Sequence, residues 1–155
     1  SQELGIPRNN ASQIIADYFK KYPGIQEYIN NTLEKARNLN YVETILGRRR
    51  PILDANSSNA LKRKAAERMA INMPIQGSAA EMIKLAMINI QRELKDMNLK
   101  SKLVLQIHDE LLFEFPESEE DVIIELVTKK MESAIQLKVP VVVDHGIGPS
   151  WYDAH

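Results

Sequence analysis

The spacing of apolar residues predicts two helices near the start of the chain. After Pro7, apolar side chains recur at the i, i+3, i+4 spacing of an amphipathic helix through Phe19. Pro23-Gly24 ends this stretch, and a second helical stripe runs from Ile25 to Ala36. Because the joint is short, the two helices are predicted to form a helical hairpin.

The middle of the chain changes from short strands to long helices. Tyr41–Ile45 and Arg49–Leu53 are extended candidates on either side of Leu46-Gly47, which predicts a small hairpin that presents three arginines. A helical pattern then runs from Ala60 to Ile71. Pro74 is expected to break or kink it, because proline lacks the N–H group and clashes with the preceding turn. A new helix is predicted to start near Pro74, with a buried apolar stripe that extends to Met97.

Strand signals dominate the last third of the chain. Leu103–Ile107 and Leu111–Phe115 predict two strands, followed by a helix from about Ser118 to Ile135. Val139–Val143 predicts a final strand, which Pro140 would confine to a sheet edge. Helices therefore cluster first and strands last, which favours an α+β fold with an antiparallel sheet over a doubly wound one.

His108, Asp109 and Glu110 stand between the two predicted strands of the last third. Tight hairpin tips favour Asn-Gly, Asp-Gly or Gly-Gly because their geometry needs positive φ, and this tip carries a histidine and two carboxylates instead. Sequences break local rules most often at functional sites, and carboxylates on a rigid tip can hold a hard cation such as Mg²⁺. A solvated loop tip is the alternative interpretation of the tripeptide alone.

Composition limits the classes of protein to which the chain can belong. Its 155 residues, 44% of them hydrophobic, suit one domain or a two-lobed piece of a larger one. The absence of cysteine excludes disulfides, thiolate metal sites and a cysteine nucleophile, and it is compatible with a reducing cytoplasm. No apolar run reaches the length of a membrane span, and no signal peptide is evident at the N-terminus.

Charge is balanced overall but unevenly distributed. The net charge is −1, yet the segment from Gly47 to Arg68 holds seven basic and two acidic residues, a net charge of +5. The segment from Asp109 to Glu125 holds eight acidic residues and no lysine or arginine. The basic segment could face phosphates. For Glu117–Glu125 a charged helix opening is preferred, since the helix dipole favours acids there.

Four segments together carry a family resemblance. They are Thr44–Arg50 (TILGRRR), Ala66–Ala80 (AERMAINMPIQGSAA), Gln106–Leu111 (QIHDEL) and Gly148–His155 (GPSWYDAH). In this order and spacing they resemble the C-terminal part of the polymerase domain of the bacterial family A DNA polymerases. The resemblance covers essentially the whole chain.

The resemblance implies an antiparallel palm sheet with packed helices and an adjoining part of the fingers. It divides the chain into residues 1–60, a helical hairpin and small β-hairpin beside the fingers, and residues 61–155, a piece of the palm. Asp109 matches the family's second catalytic, metal-binding aspartate, and Glu110 its acidic neighbour. The residues implied to contact DNA are His108 by the primer terminus, the basic residues Arg48, Arg49 and Arg50, and Arg68, Asn72 and Gln76 along the template-primer.

The spacing and chemistry of three of these residues support the predicted contact with DNA. Arg68, Asn72 and Gln76 recur every four residues, so on a continuous helix they would fall within about 80° of arc. Their donors could reach minor-groove acceptors shared by all base pairs, which would check pair geometry without reading sequence. An ordinary solvated helix face is the alternative.

The resemblance also implies what to expect of the whole enzyme. It would be a DNA-directed DNA polymerase of replication and repair, monomeric, in the bacterial cytoplasm and not in a membrane, that uses template-primer DNA, deoxynucleoside triphosphates and two Mg²⁺ ions. The family's first catalytic aspartate and its triphosphate-binding helix precede this stretch, so the chain alone is expected to be inactive. One departure is Glu81, which stands where the family usually has aspartate.

Three other functions stay open on sequence grounds. One is a noncatalytic nucleic-acid-binding module derived from a polymerase, although the intact His108–Glu110 tripeptide argues against decay. Another is a metal-dependent hydrolase that would use His108 with Asp109. The sequence has no second histidine or carboxylate cluster at ligand spacing to support it. The single-subunit phage-type RNA polymerases share the general architecture but match the four segments less well.

Overall fold

A computed structural model describes residues 7–154 of the chain, apart from the side chain of Arg8. The chain divides into two compact units, residues 1–75 and residues 76–155. The last residue of the Gly148–His155 motif lies outside the described residues. No helix within the described part is long and apolar enough to cross a membrane.

The first unit begins with the predicted helical hairpin. Helix α1 spans Arg8–Lys21 and α2 spans Pro23–Leu39, with Pro23 opening the second helix rather than only ending the first. Asn40 ends α2 in the left-handed conformation, with φ 58°. The predicted apolar face of α1 is largely exposed within the described residues, since Ile14 and Ile15 are 57% and 56% exposed.

A two-stranded antiparallel sheet follows, as the sequence predicted. Strand β1 spans Tyr41–Glu43 and β2 spans Arg49–Pro51, both shorter than expected. A 3-10 turn, Leu53–Asn56, leads towards the next helix. The core of this unit, the first core cluster, draws on α2, the sheet, this turn and the next helix: Ala36, Val42, Ile52, Ala55, Ala66 and Ala70, with Leu33 and Met73 packed against them.

Helix α3 spans Ala60–Asp96 without interruption and contains Pro74. The prediction of two helices divided at this proline was therefore wrong. A proline inside a helix removes one backbone hydrogen bond and costs about 3 kcal/mol. That cost is local, whereas α3 contributes buried residues on both sides of Pro74, from Ala66 and Ala70 to Ala86 and Ile90.

The second unit contains the C-terminal part of α3, the predicted strand pair and the predicted helix after it. Strands β3 (Lys102–Ile107) and β4 (Glu110–Glu114) are antiparallel, and a 3-10 turn, Glu117–Glu119, precedes α4, Glu120–Glu132. The chain ends in a short helix α5, Trp151–Ala154. The buried residues of the second core cluster come from α3 and α4: Ala86, Ile90, Leu94, Ile123 and Leu126.

The predicted final strand, Val139–Val143, is wrong for the described residues, which have no regular secondary structure there. A strand needs a neighbour to accept and donate its backbone hydrogen bonds. The N–H group of Val143 donates instead to the carboxylate of Glu132 in α4, at 3.2 Å. The rest of the prediction, an α+β fold with antiparallel pairing, is confirmed.

Candidate functional site

The β3–β4 hairpin carries the predicted metal-binding residue, Asp109, at its tip, with His108 before it and Glu110 after it. Ile107 pairs with Glu110, so the loop consists of His108 and Asp109 alone, and Glu110 is the first residue of β4 rather than part of the tip. All three side chains are exposed. The hairpin therefore presents the Asp109 carboxylate to solvent from a two-residue turn.

His108 adopts the positive φ that such a turn requires, at 52°. For a residue other than glycine this conformation costs on the order of 1–3 kcal/mol and persists only where the surroundings enforce it. The side-chain amide of Gln106 donates to the carbonyl oxygen of His108 at 2.5 Å, which restrains the turn. The unusual turn sequence therefore coincides with a histidine in the left-handed backbone conformation, directly before Asp109.

The β1–β2 hairpin positions the three neighbouring arginines. Gly47 takes a positive φ of 83° in the turn, and Thr44 holds the turn through its backbone and hydroxyl oxygen, which accepts from the N–H group of Arg48 at 3.1 Å. Neighbouring side chains on a strand point to opposite faces, so Arg49 and Arg50 face opposite ways. Arg50 lies across from Val42 and is exposed.

Arg49 lies beside an aromatic ring and a carboxylate. Its guanidinium lies 4.5 Å from the centre of the Tyr41 ring, and its Nε atom lies 3.4 Å from a carboxylate oxygen of Glu43. Lys35 contacts the other oxygen of Glu43 at 2.5 Å. The hydrogen bond from Lys35, with support from Arg49, lowers the pKa of Glu43 below its ordinary value, so this carboxylate is charged at neutral pH.

Arg68, Asn72 and Gln76 all lie on α3 and all are exposed. Their spacing of four therefore falls on a continuous helix, which was the condition for a common polar stripe. Arg68 and Asn72 belong to the first unit, and Gln76 is the first residue of the second.

Comparison with known proteins gives the family. A family model described as DNA polymerase family A matches residues 1–153. The chain belongs to DNA polymerase family A. The resemblance noted from the four sequence segments is thereby confirmed.

Relatives and a solved structure agree with this assignment. DNA polymerase I of Caldicellulosiruptor bescii is 47% identical over 153 residues, which cover 99% of this chain and 18% of that protein. DNA polymerase I of Deinococcus radiodurans is 46% identical, over 99% of this chain and 16% of that protein. The chain thus spans less than a fifth of the length of these relatives.

The solved structure is the POL domain of Pol1 from M. smegmatis in complex with DNA primer-template and dNTP. It is similar to this family A chain with a TM-score of 0.96 at 44% identity, over 99% of this chain and 27% of that one.

The donor set at the hairpin tip fits part of a magnesium site. Among residues 7–154, no group of three His, Asp or Glu side chains converges to hold a metal ion. Mg²⁺ in phosphoryl-transfer sites is commonly bound through one or two carboxylates, with waters and substrate phosphates completing the octahedron. Asp109, with Glu110 beside it, supplies hard oxygen donors of that kind.

Sequence reasoning missed Glu119, whose carboxylate accepts four hydrogen bonds in the second unit. It was included among acids that open a helix, yet it is bonded to the residues that precede β3. Those partners lie 18 and 19 positions earlier in the chain, so no local signal could have identified them. Glu120 and Asp121, in the first turn of α4, occupy the helix opening that the sequence predicted.

Proposed function

We propose that this chain is part of a DNA-directed DNA polymerase that extends a primer on a template by two-metal nucleotidyl transfer, in replication and repair. The observation that carries the proposal is the exposed Asp109 on a two-residue hairpin turn, in a chain of family A. A similar solved structure contains DNA primer-template and dNTP, which supports these molecules as partners.

In this proposal Asp109 is the catalytic residue that anchors metal, and Glu110 assists it from the first position of β4. When bound, a pair of Mg²⁺ ions neutralises charge on the attacking 3′-oxygen and on the leaving pyrophosphate. The pairing of the two strands restrains the backbone of the turn that carries Asp109. His108, adjacent in the turn, is proposed to contact the primer terminus.

The remaining predicted residues are assigned to DNA binding. Arg48 and Arg50 are proposed to contact phosphates, because they are exposed on the basic hairpin of the first unit. Arg49 is proposed to contribute less to phosphate binding, since Glu43, which Lys35 also contacts, offsets part of its charge. Arg68, Asn72 and Gln76 are proposed to donate to minor-groove acceptors. The enzyme is proposed to act as a monomer.

The test is primer extension by the complete protein that contains this chain, with a primer-template, four deoxynucleoside triphosphates and Mg²⁺. We expect products whose sequence follows the template and whose formation stops when EDTA removes the metal. Binding of primer-template without extension would overturn the proposal and favour a noncatalytic nucleic-acid-binding module.

A further inference from the structure

The carboxylate of Glu119 gathers four contacts from two consecutive residues. One oxygen accepts from the N–H group of Lys100 at 2.9 Å. The other accepts from the N–H groups of Lys100 and Ser101 at 3.0 and 2.9 Å, and from the Ser101 hydroxyl at 2.6 Å. Ser101 is only 5% exposed. Hydrogen bonds to a charged acceptor are stronger than neutral ones, so this is a firm attachment.

These contacts lie at the base of the hairpin that carries Asp109. Lys100 and Ser101 directly precede β3, whose first residue, Lys102, pairs with Glu114 at the end of β4. The chain then turns at Pro116, whose carbonyl oxygen accepts from the N–H group of Glu119 at 2.8 Å. Glu119 therefore joins the segment that enters the hairpin to the segment that leaves it.

An irregularity in the β3–β4 pairing makes an attachment at the base important. The pairing register shifts between Leu103 and Leu105, where the irregularity interrupts the ladder. A shift of one residue in a strand pair turns every side chain to the opposite face, and bulges change the direction of a strand. A fixed base favours one register of β3 relative to β4, and that register determines where Asp109 lies.

These hydrogen bonds need two acceptor oxygens at position 119, which a carboxylate provides and an amide of the same shape does not. Glutamine at this position would place an amide N–H₂ group where one oxygen now accepts from backbone N–H groups, and two donors would then face each other. The hydrogen bonds from Lys100 and Ser101 also lower the pKa of Glu119, so the acceptor is ionised at neutral pH.

We propose that Glu119 is a positioning residue for nucleotidyl transfer, which fixes Lys100 and Ser101 at the base of the β3–β4 hairpin and thereby sets the position of Asp109 at its tip. The proposal rests on the proposed polymerase function. It assigns to Glu119 no contact with DNA, nucleotide or metal, and its effect passes entirely through the hairpin.

The kinetic test compares Glu119→Gln with wild type in the complete enzyme, well below its unfolding temperature. Misplacement of a reacting group by about 1 Å can cost up to about a hundredfold in rate, so we expect kcat for single-nucleotide incorporation to fall by between about tenfold and a hundredfold. KM for the nucleotide and Kd for primer-template should change less than about twofold, because ground-state binding is kept. The control is Glu117→Gln, an exposed glutamate of the same 3-10 turn, which should leave all three constants unchanged.

Ser101→Ala provides a second, milder variant that removes one of the four contacts. We expect a smaller fall in kcat, and the double variant with Glu119→Gln should be little worse than Glu119→Gln alone, since the two residues act as one unit. If Glu119→Gln fails to fold, Ser101→Ala alone decides the question. Retention of kcat by the folded variants, even with a lowered melting temperature, would show a purely structural role and overturn the proposal.

Hydrogen exchange separates this proposal from the proposed function. In Glu119→Gln, amides of residues 102–114 should exchange faster than in wild type while those of α3 keep their rates. Unchanged exchange in the hairpin would contradict the proposal. If wild-type enzyme incorporates no nucleotide, the polymerase function fails, and the exchange measurement alone then decides whether Glu119 holds the hairpin.

Discussion

At the scale of single residues, the three arginines of the β1–β2 hairpin are not equivalent. Nothing in the local sequence distinguishes Arg48, Arg49 and Arg50. The strand register separates them, since it sets Arg49 across from Glu43 and Arg50 across from Val42. Register is a property of the paired strands, which is why a single sequence could indicate a basic hairpin but not the task of each residue.

This difference predicts unequal salt dependence of DNA binding. Each neutralised phosphate contributes roughly −0.9 to the slope of log affinity against log salt concentration. In the complete enzyme, Arg50→Ala should make the slope less steep by up to about 0.9, and Arg49→Ala by less, because Glu43, which Lys35 also contacts, offsets part of the Arg49 charge. Titrations of primer-template at several salt concentrations measure the slopes.

The control for that experiment is Gln76→Ala, which removes an uncharged side chain and should leave the slope unchanged while weakening binding. A slope for Arg50→Ala equal to that of wild type would mean that Arg50 contacts no phosphate.

Glu119 gives a prediction about pH at the same scale. Its pKa is lower in the folded chain than in the unfolded chain, chiefly because the Lys100 N–H group donates to it. Such a group contributes stability above its unfolded pKa of about 4.3, and the contribution is lost as the pH falls through the folded value. The melting temperature of Glu119→Gln should therefore lie below that of wild type at pH 7, with the difference shrinking as the pH falls below about 4.3.

Thermal unfolding followed by circular dichroism between pH 3 and pH 8 would measure this difference, with Glu117→Gln as the matched control. A difference that stayed constant across this range would show that the charge of Glu119 contributes nothing.

At the scale of secondary-structure elements, local signals were sufficient where contacts are local. The first two helices, both β-hairpins and the boundary at Pro23 follow from periodicity and turn residues, and the structure has all of them. Two predictions failed where distant contacts decide. The backbone hydrogen bond that Pro74 removes is a local cost, and the burial of residues along the whole of α3 offsets it. The Val139–Val143 segment would form a strand only with a pairing partner, which its own sequence cannot supply.

The apolar stripe of α3 is the element whose contribution to stability is easiest to test. Ile90 is 0% exposed in the second core cluster, whereas Ile88, two residues earlier, is 55% exposed. Ile90→Ala should lower the free energy of unfolding by about 2–5 kcal/mol, because it removes buried methyl groups and leaves a cavity. Ile88→Ala should change it by about 0.5 kcal/mol or less. Urea denaturation measures both, and equal effects would mean that the stripe is not core.

At the scale of the whole molecule, the proposed two-metal site needs more ligands than the described residues bring together. Among the described residues no three His, Asp or Glu side chains converge, whereas two-metal catalysis needs carboxylates that together hold two ions at the attacking and leaving oxygens. The sequence predicted the tip, the turn and the carboxylate. It could not predict that Glu119 anchors the base of the same hairpin, because that contact exists only after the strands and α4 have assembled.

It follows that the 155-residue chain by itself should not extend a primer. The family resemblance places a first catalytic aspartate and a triphosphate-binding helix outside these residues. Incubation of the purified chain with labelled primer-template, four nucleotides and Mg²⁺ should give no elongated product, whereas the complete enzyme at the same concentration should. Templated incorporation by the chain alone would show that its own residues complete the site.

The central claim, that Asp109 at the hairpin tip anchors catalytic metal, is tested most directly by rapid-quench incorporation of one nucleotide by Asp109→Asn in the complete enzyme. Loss of one metal-anchoring carboxylate should lower the rate of the chemical step by at least about a hundredfold, with Kd for primer-template within about twofold of wild type. The control is Asp96→Asn, an exposed aspartate at the end of α3, which should react at the wild-type rate. A near-wild-type rate for Asp109→Asn would contradict the account.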